Sequence, residues 1–142
     1  MVHVDLDGRA DARVRLAADL SVRFDSTLIG IATCVPPPAP FDAGVAAGRL
    51  LGDQVRDITI KVEERSESFR RTASAVRREL DWRFEIGTPA NVVAREARAA
   101  DLLIVGRNPP GRGHHSLDPG NAILHVGRPV LVVPPEIGRA HV

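Results

Sequence analysis

The sequence is poor in cysteine, in net charge and in long hydrophobic runs. Its one cysteine, Cys34, excludes an internal disulfide bond and fits a reducing compartment. A formal charge of +1 over 142 residues excludes the strong electrostatic attraction typical of nucleic-acid-binding and membrane-surface proteins, and we expect neither partner. No apolar run reaches the ~18 residues of a membrane span, and a predicted strand, not a secretory signal, follows Met1. We therefore expect a cytoplasmic protein.

The rest of the chain alternates strand patterns with helix patterns. Five short runs rich in apolar residues predict strands at 2–6, 27–35, 80–86, 102–105 and 130–133. Apolar spacings of three and four residues between these runs predict helices, of which the second is the longest. Because right-handed crossovers join such units, the order predicts one doubly wound α/β domain over 1–135, with a parallel five-stranded sheet and helices on both faces. Residues 136–142 are predicted to form a tail or linker.

The second helix carries an apolar stripe with one gap, at Ser66. Its members recur at intervals of three, four or seven residues: Val55, Ile58, Val62, Phe69, Ala73 and Val76. We expect this stripe to pack on the sheet, the alternative being a groove for a partner. The third predicted strand alternates apolar residues with Asp81, Arg83 and Glu85, which favours an edge strand protected by exposed charge. In the first helix, Arg13 is expected to lie outside the apolar face.

The last third of the sequence has the most specific pattern. The segments ADLLIVG (100–106) and GRPVLVV (127–133) each contain a predicted buried strand, and a loop with several glycines lies between them. Together with Asp7-Gly8 after the first strand and Gly87-Thr88-Pro89-Ala90 before the third helix, these segments resemble a universal stress protein domain. The resemblance implies the strand order 3-2-1-4-5, dimerisation and, in one subclass of the family, ATP binding. It also implies that a second universal stress domain would follow residue 135 in a tandem member.

The fifth strand is the expected dimer interface. The strand order implied by the resemblance puts Val130, Leu131, Val132 and Val133 at an edge of the sheet, without charge or polar alternation. Unprotected edges of this kind pair with other strands. Related domains pair two such strands antiparallel across a two-fold axis, so we expect a homodimer.

The ATP-binding subclass has a glycine loop after the fourth strand, whose backbone N–H groups hold phosphates. The corresponding residues here, with the acidic residue after the first strand, are Asp7, Gly106, Arg107, Gly111, Gly113, Gly120 and Asn121. The glycine spacing departs from the family pattern, Pro109 and Pro110 remove two backbone donors, and Asp118 is predicted to cap the next helix with its own carboxylate. We expect a degenerate nucleotide site and no cofactor, the alternative being ATP. Asp7 has two interpretations, a nucleotide contact or the N-cap of the first helix.

No pattern in the sequence indicates a catalytic or metal site. Adjacent histidines such as His114 and His115 diverge, and neither Asp118 nor His125 completes a ligand pattern with them. Cys34 has no evident neighbouring base and is expected to be a buried, unreactive thiol. We therefore do not expect an enzyme, and the family resemblance implies a regulatory or scaffolding role in a stress response. Two alternatives are an ATP-binding domain with slow hydrolysis and a flavin or nucleotide enzyme of the same topology.

Overall fold

Strands and helices alternate along the chain as the sequence predicts. The computed structural model describes residues 1–7, 10–35, 44–107 and 116–134. Within these ranges the elements are β1 (Val2–His3), α1 (Asp11–Arg23), β2 (Leu28–Cys34), α2 (Gly44–Thr72), β3 (Leu80–Ile86), α3 (Pro89–Glu96), β4 (Leu103–Gly106), α4 (Pro119–Val126) and β5 (Val130–Val133). A single 3₁₀ turn, Ala97–Ala99, follows α3. The predicted tail after residue 135 lies outside the described residues.

All strand pairs in the described sheet are parallel, and the strand order is β3-β2-β1-β4-β5. This order confirms the predicted doubly wound α/β fold. β1 occupies the centre although it is only two residues long, with Val2 opposite Gly30 on β2 and Ile104 on β4. The backbone N–H of Val4 extends the β1–β2 ladder by donating to the carbonyl oxygen of Ile31 at 2.8 Å. The loops after β1 and β4 therefore leave the sheet side by side.

Two apolar layers cover the central strands. α1 and the end of α2 pack on one face, where Val2, Val14 and Phe69 belong to one buried cluster. α3 and α4 pack on the other face, where Ile31, Val93 and Leu103 belong to a second cluster. Because both faces are covered, every residue from Val2 to Leu6 is buried, including the polar ones. This burial makes any polar side chain of the β1 segment that lacks a hydrogen-bond partner costly to the stability of the fold.

Only the C-terminal part of the apolar stripe on α2 is core. Phe69 is 2% exposed, and its ring lies 5.5 Å from that of Trp82 on β3. Ile58 and Val62 are half-buried. Val55 is 62% exposed, so the prediction that it faces the sheet is wrong. The physical reason is length: a 29-residue helix spans about 44 Å, whereas the seven-residue strand β2 beneath it spans about 23 Å.

β3 forms one edge of the sheet, as its charge alternation predicts. Its charged side chains are half-buried and not fully exposed, because helix α3 supplies partners for them. Arg83 donates to Asp81 at 2.7 Å and to Glu96 at 2.8 Å, and Arg95 pairs with Glu85. Hydrogen bonds from Arg83 lower the pKa of Glu96 below its ordinary value. These ion pairs place charge along the edge strand, which disfavours pairing with another strand.

The end of α4 shows why the sequence carries glycine at position 127. Gly127 is the C-cap of α4 and has φ of 62°, in the left-handed region that glycine adopts without steric cost. The turn it makes leads directly into β5, which pairs with β4 from Leu103–Val130 to Gly106–Val133. The start of α4 at Pro119, with Asp118 as N-cap, also matches the prediction. No helix within the described ranges is long and apolar enough to cross a membrane.

Candidate functional site

The crevice between the carboxyl ends of β1 and β4 is the candidate site. In open α/β sheets, ligands bind where the strand order reverses, outside the carboxyl ends of the strands. In the order β3-β2-β1-β4-β5, that reversal lies between β1 and β4. The β1 segment ends here with Asp5, Leu6 and Asp7, and β4 ends here with Gly106. The sequence-based site residues Asp7, Gly106 and Arg107 are therefore brought to one end of the sheet.

A buried ion pair spans this crevice. Nη2 of Arg13, from the first turn of α1, donates to Oδ2 of Asp5 at 2.7 Å. Arg13 is 4% exposed, so the prediction that it lies outside the buried face of α1 is wrong. Its guanidinium lies directly on the backbone of Gly106: a Cβ atom on that glycine would be 2.8 Å from Cζ and closer still to Nη1. The side chain thus reaches from β1 to β4.

His3 lies beneath the ion pair and is fully buried. Its Nδ1 is 3.6 Å from Oδ1 of Asp5. Burial lowers the pKa of the imidazole to about 4, and the positive charge of Arg13 acts in the same direction, against the opposing effect of Asp5. His3 is therefore neutral at pH 7. Among the described residues, no hydrogen-bond partner is found for either imidazole nitrogen of His3, for Oδ1 of Asp5, or for Nε and Nη1 of Arg13.

Asp7 is engaged by the long helix. Nζ of Lys61 lies 2.6 Å from Oδ1 of Asp7, and Nε of Arg65, one turn further along α2, donates to the carbonyl oxygen of Leu6 at 3.1 Å. The hydrogen bond to Asp7 raises the pKa of Lys61, which favours the charged form of its amino group. The interpretation of Asp7 as an N-cap is wrong, because α1 begins at Asp11 and its N-cap residue is Ala10. α2 thus holds the segment that leaves β1.

The loop from β4 to α4 is described only at its two ends. The backbone N–H of Arg107 donates to the carbonyl oxygen of Val133 at 2.9 Å and so continues the β4–β5 ladder. Gly111 and Gly113, with the other residues from 108 to 115, lie outside the described residues. At the far end, Oδ2 of Asp118 accepts a hydrogen bond of 2.9 Å from the backbone N–H of Asn121. The predicted cap is confirmed. It occupies one of the backbone N–H groups that have no partner within the helix and that could otherwise donate to an anion.

Gly120 and Asn121 therefore belong to the first turn of a helix that is already capped. A Cβ atom on Gly120 would lie 3.1 Å from Oδ2 of Asp118, which shows how closely the carboxylate covers this turn. His125 is one turn further on and has Nδ1 2.9 Å from the carbonyl oxygen of Asn121. In the part of the chain that the structure describes, no three histidine, cysteine or acidic side chains converge as metal ligands would.

Cys34 lies at the end of β2 and is buried. Burial raises the pKa of its thiol, and the negative charge of Asp7 raises it further, against the opposing effect of Lys61. Its Sγ donates weakly to the carbonyl oxygen of Val35 at 3.6 Å. A thiol with a raised pKa carries little thiolate at neutral pH and is a poor nucleophile.

β5 is the second edge of the described sheet and is apolar. Leu131 is 36% exposed, Val130 and Val132 are half-buried, and Val133 is buried. The neighbouring helix α4 contacts β5 and exposes two further large apolar side chains, Ile123 at 56% and Leu124 at 78%. This edge differs from β3, where ion pairs cover the strand.

Comparison with known proteins identifies the fold. No family model matches the sequence, and no curated protein does either. The alignment with a universal stress protein solved in complex with cAMP covers 95% of this chain and 94% of that protein, with a TM-score of 0.64 and 20% sequence identity. The alignment with a universal stress protein from Archaeoglobus fulgidus in complex with dAMP covers 92% of this chain and 93% of that protein, with a TM-score of 0.60 and 16% sequence identity. The alignment with a universal stress protein family protein from Arabidopsis thaliana with AMP bound covers 85% of this chain and 77% of that protein, with a TM-score of 0.55 and 16% sequence identity.

The chain therefore has the fold of the universal stress proteins, as the resemblance of its last third indicates. The crevice described above is the position at which α/β sheets of this kind bind ligands. Three solved proteins of the same fold carry an adenine nucleotide or cyclic nucleotide, according to their descriptions.

Sequence reasoning missed the residues that fill the crevice. His3 lies in a central strand and Asp5 follows it two residues later, and a central parallel strand is covered on both faces, so their burial was open to inference. Arg13 lies three residues after Ala10 and four before Ala17, which places it on the apolar side of α1. For Lys61 and Arg65 the sequence holds no such signal, because their partners lie more than 50 residues away along the chain.

Proposed function

We propose that this domain is a regulatory or scaffolding module of the universal stress type that pairs with a second copy through β5 and holds no tightly bound nucleotide. The observation that carries the proposal is the buried Asp5–Arg13 pair, which lies across the β1–β4 crevice and on Gly106. A nucleotide entering this crevice would have to displace a guanidinium that is 4% exposed and already paired at 2.7 Å.

Two further contacts support weak nucleotide binding. Asp118 caps α4 with its own carboxylate, so a phosphate at this helix N-terminus would meet a like charge and would compete for the N–H group of Asn121. Asp7, the acidic residue that the resemblance assigns to nucleotide binding, is paired with Lys61. Each charge-assisted hydrogen bond lost to such competition costs about 1.5–3 kcal/mol, and two or three of them move a micromolar site into the millimolar range.

The exposed apolar edge supports the dimer. β5 carries no charge, and the neighbouring α4 exposes Ile123 and Leu124 beside it. Pairing two β5 strands antiparallel would satisfy the free backbone groups of both edges in a closed two-fold contact and would remove apolar surface from water. In this proposal the domain acts through the surface of the dimer, and it has no catalytic step of its own.

A second candidate function is adenine nucleotide binding with slow hydrolysis. It is favoured by the solved proteins of the same fold whose descriptions include cAMP, dAMP or AMP. Purified protein separates the two candidates. After denaturation of the protein, the supernatant should contain less than about one nucleotide per ten chains by absorbance at 260 nm if the first proposal holds. A stoichiometric amount of adenine nucleotide would contradict it and favour the second candidate.

The dimer has its own test. The unaltered protein should sediment as a dimer at tens of micromolar, and Leu131→Lys should sediment as a folded monomer, because it places a charge in the paired edge. Val55→Lys is the matched control, since Val55 is exposed on a surface that the proposal does not use. An unaltered protein that is monomeric at this concentration, or a Leu131→Lys variant that remains dimeric, would contradict pairing through β5.

A further inference from the structure

The position of Arg13 raises the question of what keeps the crevice closed. Its guanidinium takes the space that the missing side chain of Gly106 leaves free, at the last residue of β4. In a fold whose ligands bind at the carboxyl ends of the strands, a glycine at this place allows close approach to the backbone. Here that approach is made by a side chain of the same protein. The close contact with Arg13 therefore accounts for a glycine at position 106, and no bound nucleotide is needed to explain it.

We propose that Arg13, held by Asp5, is an internal plug that keeps the sugar–phosphate part of a nucleotide out of the crevice. This inference rests on the proposed function and names the residues that would cause it. The charge of Arg13 does not make it a phosphate receptor, because Asp5 already neutralises it at 2.7 Å. A phosphate approaching the guanidinium would also approach the carboxylate of Asp5 behind it.

The bonding of Arg13 indicates that the plug is held weakly for a buried arginine. Only Nη2 has a hydrogen bond, whereas Nε and Nη1 have no partner among the described residues. Buried donors without partners reduce stability, so the pair is not an arrangement that maximises the stability of the fold. Removing both charged groups together is therefore compatible with folding, whereas removing one would leave an uncompensated buried charge.

The first experiment opens the crevice by replacing Asp5→Ser and Arg13→Ala together. AMP is titrated into the unaltered protein, this double variant and Arg15→Ala by calorimetry. Arg15→Ala is the control, because Arg15 is an exposed arginine on the same helix two residues further on. The plug predicts that the double variant binds AMP at least about tenfold more tightly than the unaltered protein, and that Arg15→Ala does not differ from it. Equal or weaker binding by a folded double variant would overturn the proposal.

The second experiment tests the position of Arg13 without a ligand, and its first part needs only the unaltered background. Gly106→Ala places a methyl group where the guanidinium lies, so it should lower the thermal midpoint of the unaltered chain by about 5 °C or more. In the Asp5→Ser/Arg13→Ala background, which leaves no unpaired buried charge, the same change should have less than about 2 °C of effect, since the space is then empty. A loss of equal size in both backgrounds, or no loss in the unaltered chain, would show that Arg13 does not occupy this space.

Different results would contradict the plug and the proposed function. If the unaltered protein binds AMP weakly and opening the crevice changes nothing, the plug is wrong while the proposed function stands. If the unaltered protein itself binds AMP tightly, the proposed function is wrong. The coupling between Gly106 and Arg13 then still decides whether the arginine occupies the crevice.

Discussion

The buried imidazole of His3 makes the stability of this domain depend on pH in the mildly acidic range. Burial lowers its pKa from 6.5 to about 4 in the folded protein, and Asp5 opposes this shift only in part. In the unfolded chain the imidazole regains its ordinary pKa near 6.5. Between pH 6.5 and pH 4 the unfolded chain therefore binds more protons than the folded one, and the free energy of unfolding falls as the pH falls.

The size of the effect follows from the two pKa values. Integrating the difference in bound protons gives a loss of about 2 kcal/mol between pH 7 and pH 5, and about 3 kcal/mol by pH 4. Such a loss is large against the roughly 5–15 kcal/mol that stabilise a typical domain. The window from pH 7 to pH 5 is the useful one, because most carboxylates stay ionised in it. The amino group of Met1, whose pKa burial lowers to about 6, acts in the same direction and is unchanged in the variants below.

The assay is urea unfolding at pH 7 and pH 5 of the unaltered protein, His3→Leu and His125→Gln. Leucine fits an apolar core and does not titrate, so His3→Leu should lose about 2 kcal/mol less than the unaltered protein over this window. His125 is exposed on α4, and its replacement should leave the pH dependence as it is. The same loss in all three proteins would mean that His3 is not held neutral in the core, and the reasoning would be refuted.

Three further predictions concern other parts of the described structure. Phe69→Ala should reduce the free energy of unfolding by about 3–5 kcal/mol, whereas Val55→Ala should change it by less than about 0.5 kcal/mol. A loss below ~1 kcal/mol for Phe69→Ala would contradict its burial. Asp118→Ser should tighten ATP binding in calorimetry more than His114→Ala does, because it removes a like charge from the start of α4 while the serine hydroxyl can still cap the helix; equal effects would contradict this. Cys34 should react with a maleimide far more slowly in folded protein than in urea, and equal rates would show that the thiol is accessible.

The sequence predicts the fold well because the pattern that indicates each strand or helix lies within the residues of that element. Short apolar runs predict buried strands, and the structure confirms them at β2, β4 and β5. It also confirms the edge strand that charge alternation predicts at β3 and the helix start at Asp118-Pro119. Local patterns fail where length matters. The stripe on α2 is regular over its whole length, but only its C-terminal part meets the sheet, so Val55 is exposed.

The candidate site could be placed from the sequence but its contents could not. Parallel strand order sets the crevice after β1 and β4, and the family resemblance directs attention to Asp7 and Gly106. The pairs Asp5–Arg13 and Asp7–Lys61 join residues from different elements, and which side chains meet there depends on how α1 and α2 cross the sheet. Charge alone did not reveal them, because 18 of the 19 basic residues are arginine and most of the arginines among the described residues are exposed.

Titration of the unaltered protein with ATP and AMP tests the central claim most directly. The claim is that the crevice of this universal-stress-type fold is occupied by its own side chains and holds no nucleotide tightly. Calorimetry with either nucleotide at concentrations up to about 1 mM should give no saturation, which corresponds to a dissociation constant in the millimolar range or above. A dissociation constant below ~50 µM for either nucleotide would contradict the account.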